Sequence, residues 1–477
     1  GALASRRVKD PVRAFALCEL GIGVAGLAVA PLMRGLTPVY IATYYAFHDS
    51  FAAFYAIQFL IAFVLMGIPT TLMGATFPLL VRLLTDWRGE PGAEAGRLYA
   101  VNTLGGIVGS LAAGFALVPL VGVTRTAAIA GAVNVANALV ILALKRRRGE
   151  AGAAAVLGAV AVAGVWVGAG AVPPAFSYGY ASRFGSSMFA ERVATEASRA
   201  EVLFHDDGAD GEVWLLRGGA GGALTLVNGS KLESGDTPSF ALLAQLPWFT
   251  SRLMRPARNA LNIGLGSGHT LHALAETPIE SIDSVEISGG VIEANRRVLN
   301  PELFADPRIR HFHADGRNHL LVHREPYDLI VVSPSWAVEE GSAAMLTDQF
   351  FAIAASHLSP DGVAGVWVDF SLMDDADMRR VLRAFAKNFR HVTAWDVPGG
   401  DVVLVGTNAA RYPSEDSVAR LAGIATPQAK GRLAVALSDA APRPGTFDGA
   451  YDDDLPVVEF DNARNLVLGA IHGTRRR

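Results

Sequence analysis

The stretch Ala260–Thr270, ALNIGLGSGHT, runs from an apolar segment straight into a glycine-rich turn. The apolar residues predict a buried β-strand, and the glycines predict a sharp turn that lets a ligand approach the backbone closely. A second predicted strand, SIDSVEIS, ends near Glu286, and a third leads through HFHADG to Asp315. When the next strand after such a turn ends in an acidic residue, its carboxylate is placed to accept hydrogen bonds from the hydroxyls of a ribose. The three strand ends together predict a nucleoside-binding edge of a parallel sheet.

The form of the turn narrows the choice of nucleoside. GLGSG lacks the later glycine that dinucleotide sites use, and no Lys-Ser/Thr pair of a phosphate-binding loop follows it. A short turn of this kind, with Glu286 on the next strand and Asp315-Gly316 after the third, suits an adenosyl group that carries an amino acid or alkyl sulfonium. The pattern therefore predicts S-adenosylmethionine or a derivative. The alternative is a sheet of the same type whose pocket binds nothing.

Predicted strands and helices alternate through the second half of the chain. Three short strand candidates, separated by Asp-Gly and Gly-Gly turns, come first and predict a small antiparallel sheet. The alternation that follows predicts an α/β Rossmann domain with helices on both faces of a parallel sheet, ending in two closing strands. The predicted strands are 201–205, 212–216 and 223–227, then 261–265, 282–287, 309–313, 329–332, 363–368, 392–395 and 402–405, with an amphipathic helix at 239–249.

The first third of the chain is far more apolar than the rest. Hydrophobic residues make up 51% of the 477 residues and charged residues only 18%. Five long apolar segments each suffice to cross the hydrocarbon core of a bilayer, which takes about 20 residues: 11–33, 51–84, 99–122, 126–144 and 151–172. The second segment exceeds one span and is interrupted at Gly67-Ile68-Pro69, which predicts one kinked or tilted helix. We therefore expect an N-terminal α-helical transmembrane bundle embedded in a lipid bilayer.

The basic residues alternate between the loops of this bundle. They precede the first span and follow the second and the fourth, which assigns those loops to the cytoplasm: Arg6, Arg7, Lys9 and Arg13, then Arg82, Arg88 and Arg97, then 145–148. If segment 151–172 also crosses, the Rossmann domain lies outside, away from the cytosolic cofactor. If it does not cross, the domain is cytoplasmic, which an enzymatic function favours.

The predicted organisation has four parts. A transmembrane domain occupies 1–172, a linker with the small β-domain 173–235, the Rossmann domain 236–410, and a C-terminal extension 411–477. The net charge of −4 argues against nucleic acid as a partner. The single cysteine, Cys18, excludes an intrachain disulfide.

Further motifs carry a resemblance to a known family. They are RLYAVNTLGGIVGSLAAGF in a predicted span, VNGSKLESGD before the Rossmann domain, YDLIVVSPS at its fourth strand and LPVVEFDNARN near the C-terminus. In these motifs the chain resembles the bacterial membrane-fused spermidine synthase-like proteins over nearly its whole length. The resemblance implies the aminopropyltransferase fold, a multi-pass location in the bacterial plasma membrane and a possible homodimer. It also implies that further spans precede residue 1.

The resemblance also assigns roles to the cofactor half of the site. It places Gly264, Gly266 and Gly268 along the amino-acid end of the nucleoside. It places Glu286 at the ribose, and Asp315 with Gly316 at the adenine. The donor it implies is S-adenosylmethionine or decarboxylated S-adenosylmethionine, with no metal.

The substrate half of the site departs from the family. Ser333 stands after the fourth strand, where aminopropyltransferases carry an aspartate that orients and deprotonates the attacking amine. The family's acidic pair ahead of the Rossmann domain is reduced to Gly235-Asp236-Thr237. Asp236 is therefore the first candidate for a catalytic base, because a carboxylate beside the nucleophile is the expected base. The other candidates are Glu339, Glu340 and Asp369, of which the two glutamates also suit a solvated loop.

Three other features admit a functional and a structural interpretation. His311 and His313 share one face of a strand, but no third ligand is in register, so we expect strand residues rather than a metal site. Trp336 caps the pocket or packs as an ordinary aromatic residue. Glu19 lies inside a predicted span, where an ionisable group suggests function or a buried hydrogen bond.

Three functions remain open from the sequence. The favoured one is a membrane-bound transferase that moves an aminopropyl or alkyl group from the adenosyl donor to a small amine or a lipid-associated acceptor. The second is a methyltransferase that uses S-adenosylmethionine. The third is a non-catalytic membrane protein with a degenerate nucleoside-binding lobe.

Overall fold

The computed structural model describes residues 8–423 except for a set of internal segments. The segments outside the description are 37–38, 40–41, 44–45, 48–49, 89–90, 146–148, 153–154, 156–157, 160–199, 209, 219–221, 223, 230, 234–237, 336–340, 370–372, 374 and 398–400. Four candidate site residues, Asp236, Trp336, Glu339 and Glu340, therefore lie outside the described residues. So do the predicted linker and most of the fifth predicted span. The chain forms two compact units, of which the first holds the N-terminal helices and the second nearly all of the two sheets.

Long apolar helices form the first unit. They are α1 (Pro11–Gly35), α2 (Phe51–Arg88), α3 (Pro91–Ala112), which continues through a π-helical turn (Ala113–Leu117) into α4 (Val118–Val121), and α5 (Val123–Leu144). α2 runs as one helix through Pro69 and Pro78. Leu27 packs against Ala128 and Val135 between α1 and α5.

The outer surface of these helices is apolar as well. Within Gly92–Val121 Glu94 alone is buried among the described residues, and the stretch exposes Tyr99, Leu104, Ile107 and Phe115. Water is an unfavourable environment for so large an apolar surface. Four helical stretches are long and apolar enough to cross a membrane, and they coincide with the first four predicted spans.

A four-stranded sheet begins the second half of the chain. Its strands are β1 (Glu201–Gly208), β2 (Gly211–Arg217), β3 (Leu224–Asn228) and β4 (Lys231–Leu232), in that spatial order. β2 pairs antiparallel with β3, with Trp214 opposite Val227. Both faces of β2 are buried, because Trp214 and Leu216 pack on one side while Val213 and Leu215 join the main core on the other. The predicted antiparallel sheet is confirmed, and β4 adds a strand that the sequence did not predict.

The main sheet has seven strands in the order β10-β11-β9-β8-β5-β6-β7. They are β5 (Asn259–Ile263), β6 (Ser281–Glu286), β7 (Ile309–His313), β8 (Tyr327–Val332), β9 (Leu358–Val368), β10 (His391–Asp396) and β11 (Val402–Thr407). The five strands from β5 to β9 are parallel, whereas β11 runs antiparallel to both of its neighbours. The strand order reverses between β5 and β8, and in open α/β sheets ligands bind at such a point, outside the carboxyl ends of the strands.

Helices cover both faces of this sheet. They are α6 (Pro238–Met254), α7 (His269–Ala275), α8 (Gly289–Ala294), α9 (Pro301–Ala305), α10 (Gly316–Val322), α11 (Asp348–Ser356), α12 (Asp375–Asn388) and α13 (Glu415–Ala422). Alternate residues of β8 face the two resulting cores, with Val332 beside Phe350 and Phe385 on one side and Val331 beside Leu243 on the other. The predicted Rossmann architecture is confirmed. α13 belongs to the predicted C-terminal extension, yet it packs Val418 and Ala419 into the second core.

A buried polar cluster lies within the first of these cores, around Asp283 on β6. Its carboxylate accepts two hydrogen bonds from Arg310, over 2.7 and 2.9 Å, and one from the Tyr327 hydroxyl over 2.8 Å. His319 Nε2 lies 3.3 Å from the same hydroxyl, and His323 stacks on the Tyr327 ring. Ligand atoms of Asp283, His319 and His323 lie within 4.8 Å of one another, as a metal site requires. Arg310 and Tyr327 thus supply three hydrogen bonds to the Asp283 carboxylate, which has about four acceptor sites.

Candidate functional site

A cavity of about 510 Å³ opens at the carboxyl edge of the main sheet, where the strand order reverses. A volume of this size accommodates a small-molecule ligand. The turn after β5, the ends of β6 and β8, and the start of α10 line one part of the cavity, while residues around β3 and β4 line another. The lining includes Asn228, Glu233, Gly264, Leu265, Gly266, Ser267, His269, Glu286, Ile287, Asp315, Gly316, Ser333, Ser342, Met345 and Trp367.

The glycines of the turn are required by the backbone. Gly264 has φ of +90°, and a Cβ there would run into the backbone carbonyl of Ser333. Gly268 has φ of +87° at the N-cap of α7, and a Cβ there would meet the side chain of Asn300. A residue with a side chain is strained at such φ values and would also clash. The predicted glycine turn thus lies where a ligand can approach its backbone.

Glu286, at the end of β6, holds this turn through its carboxylate. Oε2 accepts hydrogen bonds from the backbone N–H groups of Leu265 and Gly266, over 2.8 and 3.4 Å, and Oε1 accepts one from Ser288 over 2.9 Å. Burial raises the pKa of Glu286, the three N–H groups oppose that rise, and the charge of Glu233 adds to it. The predicted ribose-binding acid is therefore in the cavity, and its carboxylate contacts the turn in this structure.

Three asparagines hold the carbonyls of the same turn. Asn262 Nδ2 donates to the carbonyl of Gly264 over 3.0 Å, and Asn295 Nδ2 donates to that of Gly266 over 2.8 Å. Asn300 Nδ2 donates to the carbonyl of Ser267 over 2.9 Å. None of the three asparagines was predicted from the sequence. Only Asn262 left a signal, as a polar residue within an otherwise apolar strand.

Asp315 and Gly316 have clear structural roles beside the cavity. Asp315 is the N-cap of α10, and its Oδ1 accepts a hydrogen bond from the Asn318 N–H over 2.7 Å. Gly316 begins that helix so close to Ile263 that a Cβ would overlap the Ile263 side chain. Both residues line the cavity, as predicted, and their assignment to the adenine stays a prediction.

Ser333 brings a hydroxyl to the end of β8. Its backbone N–H donates to the carbonyl of Ile263 over 2.9 Å, which fixes the residue beside the glycine turn, and it lines the cavity. A serine hydroxyl is uncharged at neutral pH and a weaker base than a carboxylate, so the amine-side chemistry differs from that implied by the resemblance. Asp369 is buried just beyond β9 and is not among the described residues that line the cavity.

The two histidines of β7 have separate surroundings. His311 stacks on Phe304 with ring centroids 3.8 Å apart, and burial lowers the pKa of His311. His313 Nε2 lies 2.8 Å from Asp210 Oδ2 and 3.0 Å from the carbonyl of Ile287. These contacts fit the structural interpretation, in which both are strand residues.

The fold is that of the methyltransferase-like Rossmann class, with a cavity at the switch point of its sheet. Residues 241–397 match the family model described as the spermine/spermidine synthase domain. This part of the chain is therefore a spermidine synthase domain, which confirms the resemblance drawn from the motifs. The residues on either side of it, including the apolar helices, extend beyond that domain.

Relatives with assigned activities give a longer match. The chain is similar to a polyamine aminopropyltransferase of Mycobacterium tuberculosis, with 26% identity over 410 residues, which are 81% of this chain and 74% of the relative. It is also similar to polyamine aminopropyltransferase 1 of Streptomyces coelicolor, with 25% identity over 375 residues, 76% of this chain and 65% of the relative. A solved spermidine synthase in complex with the transition-state analogue AdoDATO is 17% identical, covering 56% of this chain and 88% of that one, with a TM-score of 0.40.

Proposed function

We propose that this protein is a membrane-bound aminopropyltransferase-type enzyme. It binds an S-adenosyl sulfonium donor at the glycine turn and transfers the donor's alkyl group to an amine. The observation that carries the proposal is the cavity of about 510 Å³, in which the glycine turn, Glu286, Asp315 and Ser333 all meet. The similarity to polyamine aminopropyltransferases supports an amine as the acceptor.

Each part of the cavity has a task in this proposal. The backbone of Gly264–Gly268 passes close to the sulfonium arm of the donor, and Glu286 accepts hydrogen bonds from the ribose hydroxyls. To do so, Glu286 exchanges its hydrogen bonds from Leu265 and Gly266 for bonds from the ribose. Asp315 keeps α10 in place through its N-cap while the adenine lies beside Gly316. Ser333 faces the acceptor from the end of β8.

The reaction is a displacement at carbon. The lone pair of the acceptor nitrogen attacks the methylene carbon attached to the sulfonium, a C–N bond forms and the C–S bond breaks. The bonding electrons go to sulfur, which leaves as the neutral thioether methylthioadenosine when the donor is decarboxylated S-adenosylmethionine. The nitrogen loses one proton to a base or to water. Because the donor is already activated, the protein's main contributions are alignment of the two reactants and exclusion of water.

Calorimetry and product analysis test this function. Purified full-length protein in detergent is titrated with methylthioadenosine, S-adenosylmethionine and decarboxylated S-adenosylmethionine, and we expect micromolar binding of at least one. Incubation of decarboxylated donor with putrescine should then release methylthioadenosine and spermidine together, detected by mass spectrometry. If none of the three nucleosides binds, the proposal is wrong. If a nucleoside binds but none of a panel of amines is modified, the non-catalytic interpretation replaces it.

Methyl transfer is the second candidate, and Ser333 is the observation that favours it. An uncharged hydroxyl at the end of β8 offers less attraction to a polyamine cation than a carboxylate does. A methyltransferase would release S-adenosylhomocysteine from S-adenosylmethionine, rather than methylthioadenosine from the decarboxylated donor. The identity of the released nucleoside therefore distinguishes the two activities in one assay.

The proposed location is the bacterial plasma membrane, crossed several times by the N-terminal helices, with the synthase domain on the cytoplasmic side. The four apolar helices support a location in the membrane. The supply of adenosyl donor in the cytosol supports the cytoplasmic side for the synthase domain. Fusions of green fluorescent protein and of alkaline phosphatase to the C-terminus test this topology. Fluorescence without phosphatase activity is expected, and the reverse result would place the domain outside.

A further inference from the structure

We propose that Glu233 selects the donor, by favouring one that carries a free ammonium and no carboxylate. This inference rests on the proposed function, and it deepens that function by assigning to Glu233 the discrimination between the decarboxylated donor and S-adenosylmethionine. Glu233 follows β4 in the small sheet and is half-buried in the cavity wall. Neither the glycine motif nor the strand-end acids pointed to it.

The backbone of Glu233 is fixed on two sides. Its N–H donates to the carbonyl of Leu226 on β3 over 2.8 Å. Its carbonyl accepts a hydrogen bond from the Ser267 hydroxyl over 3.1 Å. The residue is therefore tied both to the small sheet and to the glycine turn, so its position relative to the turn is well defined.

The side chain lies over the turn. Glu233 Oε2 is 3.8 Å from the position that a Cβ on Gly266 would occupy, which places the carboxylate next to the glycine turn. Its negative charge also acts on Glu286 across the cavity and contributes to the raised pKa of that residue. In the proposed binding mode this part of the turn faces the aminopropyl arm of the donor, so the arm's ammonium comes next to a carboxylate.

The charges of the cavity wall agree with a cationic donor. Among the described residues that line the cavity, the ionisable side chains are the carboxylates Asp210, Glu233, Glu286 and Asp315 and the imidazole of His269, with no lysine or arginine. A sulfonium and an ammonium are both attracted by such a wall. The extra carboxylate of S-adenosylmethionine would face Glu233 instead, and like-charge contact is an efficient way to reject a competitor.

Calorimetry on full-length protein tests this assignment with the three nucleosides named above. The wild-type protein should bind the decarboxylated donor at least about tenfold more tightly than S-adenosylmethionine, and Glu233→Gln should remove about tenfold of that preference. Methylthioadenosine has neither ammonium nor carboxylate, so its affinity should stay unchanged in the variant. Glu212→Gln removes the same charge from β2, outside the described cavity wall, and should leave all three affinities as they were.

The outcomes separate this inference from the proposed function. If Glu233→Gln still binds methylthioadenosine and keeps the full preference for the decarboxylated donor, the role of Glu233 is wrong while the nucleoside site stands. If the wild-type protein binds no nucleoside, the proposed function itself is wrong. Glu233→Asp retains the charge and should retain most of the preference, so a loss as large as in Glu233→Gln would overturn the electrostatic argument.

Discussion

The carboxylate of Glu286 accepts a hydrogen bond from the backbone N–H of Leu265 over 2.8 Å, so the acid that ends β6 holds the turn that ends β5. The two strands are parallel neighbours, with Ile263 beside Val285, which brings their carboxyl ends together. A ligand that binds Glu286 therefore also changes the hydrogen bonding of the glycine turn. The stability of this edge and its binding of a ligand are coupled through one side chain.

Glu286→Gln should change how stability depends on pH. Because burial raises the pKa of Glu286 above its ordinary value of 4.5, the folded state holds this proton more tightly than the unfolded state. Its contribution to stability is thus fully present below pH 4.5 and is lost as the pH rises through the higher folded pKa. Thermal unfolding of both proteins across pH 4 to 8 should show this loss in the wild type and not in the variant. Parallel curves would contradict the assignment.

Gly264→Ala should destabilise the synthase domain by about 2–5 kcal/mol, from backbone strain together with overlap of the new Cβ and the Ser333 carbonyl. Gly423→Ala is the matched control, because Gly423 also has a positive φ of 66° but no other described residue lies within 4 Å of its Cβ position. The control should cost only about 1–2 kcal/mol, the strain alone. Melting temperatures of the two variants measure the difference, and equal shifts would show that the contact with Ser333 is unimportant.

Tyr327→Phe should lower stability by about 1.5–3 kcal/mol, because it removes a hydrogen bond to the buried carboxylate of Asp283. Burial, together with the hydrogen bond to Asp283, raises the pKa of Tyr327, so the hydroxyl keeps its proton and donates at any physiological pH. Thermal unfolding of the purified protein gives the change. Since the cluster lies away from the cavity, nucleoside affinity should be unaltered, and a loss of affinity without a loss of stability would contradict this view.

Arg308→Ala should cost about 2–3 kcal/mol, because the guanidinium donates to the carbonyls of Ala275, Thr277 and Ile279 and pairs with Asp306. These bonds close the end of α7, the helix that follows the glycine turn. Arg258→Ala provides the contrast, since Arg258 pairs with Glu280 on the surface, where the side chains are 69% and 60% exposed. Because solvent screens such a pair, the Arg258→Ala variant should unfold like the wild type. Equal effects in the two variants would refute the comparison.

The sequence predicted those features that depend on local patterns. Apolar segments such as ALNIG and YDLIVV predicted strands close to their observed positions, because a buried strand needs an apolar stretch wherever it occurs, although β9 begins at Leu358 rather than at 363. The long apolar segments predicted the helices α1, α2, α3 and α5 for a similar reason, since a span of the bilayer sets a minimum apolar length. The glycine turn and Glu286 were predictable because each lies at a strand end, and parallel strand ends meet at one edge.

Only the tertiary structure decided which distant residues meet around that turn. Asn262 lies in β5, Asn295 directly follows α8 and Asn300 directly precedes α9, so their convergence on carbonyls of the turn follows from how these elements pack. Glu233 reaches Gly266 from another sheet altogether. Side-chain hydrogen bonds between segments far apart in the chain have no sequence period, because packing rather than spacing sets their distances. The sequence by itself therefore determined the strands, the apolar helices and the acid at the cavity, and tertiary packing determined the carboxylate that we propose selects the donor.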